Sequence, residues 1–100
     1  MKTFEQTADE VKAVGMLRAL SNPVRFRIVQ LLASRNTCVC GELVDELPLA
    51  QSTVSEHLKV LKDAGVVQGT LEGPSTCYCL DPEAFGFLRG VLGGIEQCCC

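Results

Sequence analysis

A chain of 100 residues with 47% hydrophobic and 21% charged side chains and no low-complexity tract has the size of one domain and the composition of a globular protein, not a disordered one. No apolar run approaches the roughly 18 residues of a membrane span, and Met1 to Glu10 is too polar for a secretory signal, so a cytoplasmic chain without a membrane partner is expected. The net charge of −3 runs against a nucleic-acid partner, yet from Ser21 to Thr70 Arg25, Arg27, Arg35, Lys59 and Lys62 balance Glu42, Asp45, Glu46, Glu56 and Asp63, leaving the excess acid at the two ends. Seven cysteines cannot all pair within the chain, and a reducing compartment favours metal binding or redox chemistry over structural disulfides.

In chain order, Thr3 to Leu20 predicts a first helix, with Ala8, Val11, Leu17 and Leu20 gathered into an apolar stripe. Ser21-Asn22-Pro23 gives a stop and a restart: Asn22 can cap a helix, and Pro23 fits its first position without losing a needed donor. The second helix is expected to reach about Ala33. Its apolar set, Phe26, Ile28, Val29, Leu31 and Leu32, covers much of its circumference and predicts a central buried helix, with Arg25 and Arg27 outward. Thr37 can cap a third helix that runs through Glu42, Leu43 and Leu47 and stops at Pro48.

A fourth helix is predicted from about Gln51 to Ala64, with Gly65 as a left-handed C-terminal cap. Leu49 and Val54 are placed to staple its entry. Val54, Leu58 and Leu61 fall on one side, and Ser52, Ser55, Glu56 and Lys59 on the other. An exposed face mixing hydroxyls, Gln51 and Lys59 suits base edges and phosphates, which makes residues 37–65 a helix-turn-helix with this helix as its reading head. Val66 to Leu71 and Thr76 to Leu80 predict two strands joined by a turn at Glu72-Gly73-Pro74-Ser75. A lone hairpin is marginal in water, so residues 66–80 must lean on the helices as a wing. Alternation sets Thr76, Tyr78 and Leu80 against Cys77 and Cys79, which predicts the two thiols on the more exposed face. Asp81-Pro82 opens a last helix with Phe85, Leu88, Val91, Leu92 and Ile95 as apolar positions. Gly93-Gly94 is expected to weaken its end, before a Cys-rich tail at residues 95–100. The expected fold is therefore mainly α with one small β-hairpin, a single winged helix-turn-helix domain over residues 1–100 in the order ααααββα.

Three motifs resemble the ArsR/SmtB family of metal-responsive winged-helix repressors, and the likeness covers nearly the whole chain. Leu20-Ser21-Asn22-Pro23-Val24-Arg25-Phe26-Arg27-Ile28 resembles the opening of the family's second helix. Gln51-Ser52-Thr53-Val54-Ser55-Glu56-His57-Leu58-Lys59-Val60-Leu61 resembles its recognition helix, and Cys38-Val39-Cys40-Gly41-Glu42-Leu43 its thiolate box. The resemblance implies a homodimer built through the first and last helices, bound to a double-stranded operator and released by a soft metal or metalloid. It also implies DNA contacts from Gln51, Ser52, Thr53, Ser55 and Lys59, the hydroxyls and Gln51 at base edges and Lys59 on phosphate. Two positions depart from the pattern: Glu56 stands where many relatives are basic or neutral, and the wing tip at residues 72–75 lacks basic residues.

Thiolates are soft ligands, and a thiol at a helix N-terminus loses its proton more easily, which marks Cys38 and Cys40 as ligands for a soft ion. Residues i and i+2 of a helix face different ways, so both grip one ion only if the first turn distorts, and Gly41 makes such unwinding easier. Relatives that sense arsenite or antimonite often carry a third cysteine where this chain has Leu43; Cys98, Cys99 and Cys100 are the candidates for the missing ligand. The expected inducer is trivalent arsenic or antimony, with cadmium or lead second, and no organic cofactor. A neighbouring reading makes the signal oxidative or sulfide-based. A non-DNA-binding thiol enzyme or metal carrier is the rival from another class, but the chain has no Cys-x-x-Cys and no Gly-rich phosphate loop, so an enzyme is not expected.

Overall fold

Helix formation begins at Thr7, whose hydroxyl accepts the Glu10 backbone N–H at 3.1 Å and caps the first turn, with Asp9 and Glu10 complementing the helix dipole. The computed structural model describes residues 3–35, 38, 47–72 and 75–96. Among them the order is α1 (Ala8–Leu20), α2 (Pro23–Arg35), α3 (Gln51–Asp63), β1 (Val67–Glu72), β2 (Ser75–Leu80) and α4 (Ala84–Glu96). These elements form a winged helix-turn-helix arrangement with α3 as the recognition helix. The expected third helix, with Thr37, Cys40, Gly41 and Leu43, lies outside the described residues, as do the turn residues Gly73 and Pro74 and the tail Cys98 to Cys100.

α1 starts five residues later than expected, because Thr7 captures the cap. It also buries a different face: Ala13, Met16 and Ala19 point inward, whereas Val11 and Leu17 of the expected stripe are 55% and 42% exposed. Two apolar faces compete on this helix, and the one bearing Ala13, Met16 and Ala19 is buried. Asn22 caps α2 as expected, its Oδ1 accepting the N–H groups of Val24 and Arg25 at 2.9 and 3.1 Å. Ile28, Val29 and Leu32 form the inward stripe of α2, but Phe26 is 51% exposed. Its position, two before Ile28, falls off the buried side.

α3 buries Val54, Leu58 and Leu61, and Leu49 packs against the same core at its entrance. Its far end closes in a Schellman turn: the Gly65 N–H reaches Lys62 O and the Val66 N–H reaches Leu61 O, both at 3.0 Å. Gly65 holds φ at +83°, a conformation that glycine adopts without cost to its side chain. Fully buried Leu61 and Val66 supply the apolar contact that accompanies this cap. The chain therefore enters the wing already fixed to the recognition helix.

β1 and β2 pair antiparallel, Val67 opposite Leu80, Gln68 opposite Cys79, Gly69 opposite Tyr78 and Thr70 opposite Cys77. The absent side chain of Gly69 makes room for Tyr78, whose ring would lie 3.2 Å from a β-carbon there. The expected exposed face of β2 is corrected: Cys77 is 2% exposed and Cys79 is half-buried. Tyr78 and Leu80 are half-buried as well, so none of these four positions is exposed.

Asp81 opens the last helix, its Oδ1 accepting the Glu83 N–H at 2.9 Å. Ala84 and Leu88 are buried and Phe87 packs against the core, while Phe85, Leu92 and Ile95 of the expected apolar set are exposed, Ile95 by 68%. α4 is helical through Gly93 and Gly94 to Glu96. Lys12 of α1 holds its ammonium 4.4 Å from the centre of the Phe87 ring, a cation–π contact that links the first and last helices. Among the described residues no helix is long and apolar enough to cross a membrane.

Candidate functional site

The sequence that makes α3 amphipathic also makes its outer face polar. Gln51, Ser52, Ser55 and Lys59 are exposed, Thr53 is half-buried, and Glu56 is exposed among them. Ala50 stands at the N-cap and offers no side-chain hydrogen bond, so the first amides of this helix end keep donor capacity and a partial positive charge. These five candidates lie on 13 residues of one helix, with hydroxyl and amide groups toward the start and a cation nearer the end. Such a face has the donors and acceptors that base edges and phosphates require.

A residue the sequence placed in solvent lies against that helix. Arg25 is half-buried. Its Nε donates to Ala19 O at 2.6 Å, Nη2 reaches Arg18 O at 3.5 Å, and Nη1 approaches His57 Nδ1 at 3.5 Å. The guanidinium thus sits on carbonyls at the C-terminal end of α1, where a cation is favoured, and touches the recognition helix through His57. A forked donor three residues after a cap, beside the end of the preceding helix, was the available signal. Arg27, by contrast, is exposed as expected.

The thiols occupy a second locus. Cys38, exposed, and Cys79, half-buried on β2, are free cysteines. The Cys79 thiol is pushed up to about 11 from an ordinary value near 9, first by its hydrogen bond to Cys38, then by burial, then by the neighbouring Cys38 charge. Cys77 is disulfide-bonded, and its partner is neither Cys38 nor Cys79, both free. Of the expected ion ligands only Cys38 falls within the described residues; Cys40, Cys98, Cys99 and Cys100 fall outside them. Sequence reasoning did not link Cys79 to Cys38, whose thiol raises that of Cys79. The repeated Cys-x-Cys spacing, once at residues 38–40 and once at residues 77–79, was the signal that could have paired the two segments.

The model of the bacterial regulatory protein arsR family matches residues 22–68, and the regulator CmtR of Mycobacterium tuberculosis is 38% identical over 97% of this chain and 77% of its own length. The chain belongs to the ArsR/SmtB family. The repressor SmtB of Mycobacterium tuberculosis is 51% identical to this ArsR-family chain over 65% of it. The match spans about half of that relative, 47% of its length. Among solved structures, a possible transcriptional regulator for arsenical resistance superposes with a TM-score of 0.71 at 33% identity, over 81% of this chain and 83% of that one. The relatives found for this ArsR-family chain are named as transcriptional regulators, not as enzymes.

Proposed function

We propose that this ArsR-family chain is a DNA-binding transcriptional repressor that leaves its operator when a soft thiophilic ion binds, arsenite or antimonite first and cadmium or lead second. The observation that carries the reading is the outer face of α3, where Gln51, Ser52, Ser55 and Lys59 stand exposed over a buried Val54, Leu58 and Leu61. With Thr53, these residues contact the operator: Gln51 and the hydroxyls read base edges, and Lys59 neutralises phosphate. Two relatives whose names include repression or arsenical resistance support the choice of regulation and of ion.

A dimer fits the surfaces of α1 and α4. Val11, Val14 and Leu17 on α1 and Leu92 and Ile95 on α4 are exposed apolar side chains, and α1 and α4 already meet at Lys12 and Phe87. Pairing two copies through these helices covers that surface and sets two recognition helices about 34 Å apart, one DNA turn. Cys38 and Cys40 are the thiolates assigned to the ion, with Cys98, Cys99 and Cys100 as the tail candidates for completing the set. Bound there, the ion supplies strong sulfur bonds in exchange for thiol protons, and the helix-turn-helix entrance must change shape to accommodate them.

An oxidative signal is the second reading, favoured by one observation: Cys77 is disulfide-bonded. A gel shift with DNA from upstream of the chain's own gene tests the DNA-binding reading. Retention of that fragment against excess unrelated duplex supports it; equal retention of both sequences refutes it.

A further inference from the structure

Of the two acids on α3, Asp63 is its last residue and Glu56 stands near its middle. Successive residues of a helix are roughly 100° apart, so Glu56 lies roughly 200° from both Val54 and Leu58, which are buried in the core. It therefore occupies the pole of the helix farthest from the protein. Lys59, next to buried Leu58, is turned toward the flank. Glu56 is exposed, and among the described residues no ion pair or hydrogen bond occupies its carboxylate, although Lys59 follows three residues on. One turn beyond Glu56, Val60 is an apolar side chain with 41% of its surface exposed, a neighbour on the same side of the helix. This outer surface is thus not a uniformly charged, solvated face.

A recognition helix laid in the major groove turns its pole to the base edges and its flanks to the phosphates. Beside phosphate a carboxylate is repelled, whereas at the base edges it can accept a hydrogen bond. Cytosine presents its N4 amino group there as a donor. Adenine sets the acceptor N7 beside its N6 donor, and guanine and thymine offer no donor at all. A carboxylate at the pole therefore matches cytosine best, and an exposed valine beside it suits the apolar contacts that the same groove provides.

We propose that Glu56 is a specificity-determining residue of α3, accepting a hydrogen bond from the N4 amino group of one cytosine in each half-site of the operator. This deepens the DNA-binding reading above and rests on it. The bond is charge-assisted and hence stronger than a neutral one. With any other base the carboxylate is desolvated against an acceptor or a methyl group, so the wrong sequence is penalised as well as the right one favoured. Lys59 holds the backbone; Glu56 chooses a base.

The duplex from upstream of the chain's own gene, and variants of it with each base pair exchanged in turn in both half-sites, are titrated by fluorescence anisotropy with the parent, Glu56→Gln and Glu56→Ala. The exposed position leaves the fold parental, which circular dichroism checks. In the parent, exchange of one particular cytosine per half-site should weaken binding by roughly 5- to 150-fold, the size of one base contact. Glu56→Gln should lose that preference in favour of adenine, whose N6 and N7 a glutamine meets as acceptor and donor, and keep the parental ranking at every other position. Glu56→Ala should make that position indifferent. If Glu56→Gln binds every duplex more tightly in the parental order, the carboxylate only repels the backbone and the proposal is overturned. Identical profiles for parent and Glu56→Gln overturn it as well. A parent that discriminates among duplexes while Glu56 is indifferent removes this inference alone; a parent that does not distinguish the upstream duplex from unrelated DNA removes the DNA-binding reading with it.

Discussion

Replacing Arg25 by methionine, which keeps the aliphatic stem and removes the fork of donors, isolates the contact that ties α2 to the end of α1. The magnitude follows from the distances. The bond from Nε to Ala19 O is short, 2.6 Å, while the contacts to Arg18 O and His57 Nδ1 are both 3.5 Å, at the limit where hydrogen bonds contribute little. One charged hydrogen bond to a half-buried carbonyl is then the main loss, about 2 kcal/mol. In thermal unfolding at fixed protein concentration this corresponds to a midpoint lower by roughly 8 to 16 °C for a chain of this size. His57→Ala combined with Arg25→Met should show a coupling below about 0.5 kcal/mol, because the pair is separated by a long contact. Operator affinity at a temperature well below unfolding should change little for Arg25→Met, since its short bond is to α1 and its contact to α3 is long. A destabilisation below about 0.5 kcal/mol, within the range of ordinary surface substitutions, would refute the role assigned to Arg25.

Ser55→Ala should weaken specific binding by roughly 1 to 3 kcal/mol, as loss of a base contact does, whereas Lys59→Ala should weaken all sequences and lower the salt slope by about 1; titrations against operator and unrelated duplex separate the two. Gly65→Ala forces a β-carbon into a backbone held at φ +83° and should cost at least about 1 kcal/mol in urea unfolding, although the nearest side-chain atom, Met16 Cε, is 3.7 Å away and does not clash. For Cys79, alkylation should rise with a midpoint of about 11, and Cys38→Ala, which removes the largest cause, should lower that midpoint toward an ordinary thiol's. Because the folded form holds this proton more tightly, the associated stability is complete below about pH 9 and is lost as pH rises toward 11; unfolding at pH 8 and pH 10.5 should show the difference in the parent and less of it in Cys38→Ala.

Local signals with one physical reading were legible in the sequence. Asn22-Pro23 could only cap and start a helix, Gly65 was the one residue placed to take a left-handed turn after α3, and the stripe of Val54, Leu58 and Leu61 left no second choice of buried face. Where two faces competed, periodicity chose wrongly. α1 carries Val11 and Leu17 on one side and Ala13, Met16 and Ala19 on another, and the bulkier set is exposed. On α4 Phe85 and Ile95 are likewise outside while Phe87 packs inward. A monomer's pattern cannot separate apolar residues kept for its own core from those kept for another surface, since both repeat with the helix. The Arg25 contact and the effect of Cys38 on Cys79 were hidden for a different reason. Each joins segments more than 30 residues apart, His57 to Arg25 and Cys79 to Cys38, and only the folded chain defines which pairs meet.

In the proposed function a soft ion taken up by the thiols releases this chain from its operator. Fluorescence anisotropy of a labelled duplex from upstream of its own gene, saturated with protein and titrated with arsenite, measures that release in one experiment. A high initial signal that falls to that of free DNA as ion is added is expected, with Cys38→Ser holding the signal high throughout. A signal that never rises, or one that rises and is unmoved by arsenite, antimonite, cadmium or lead, would contradict it.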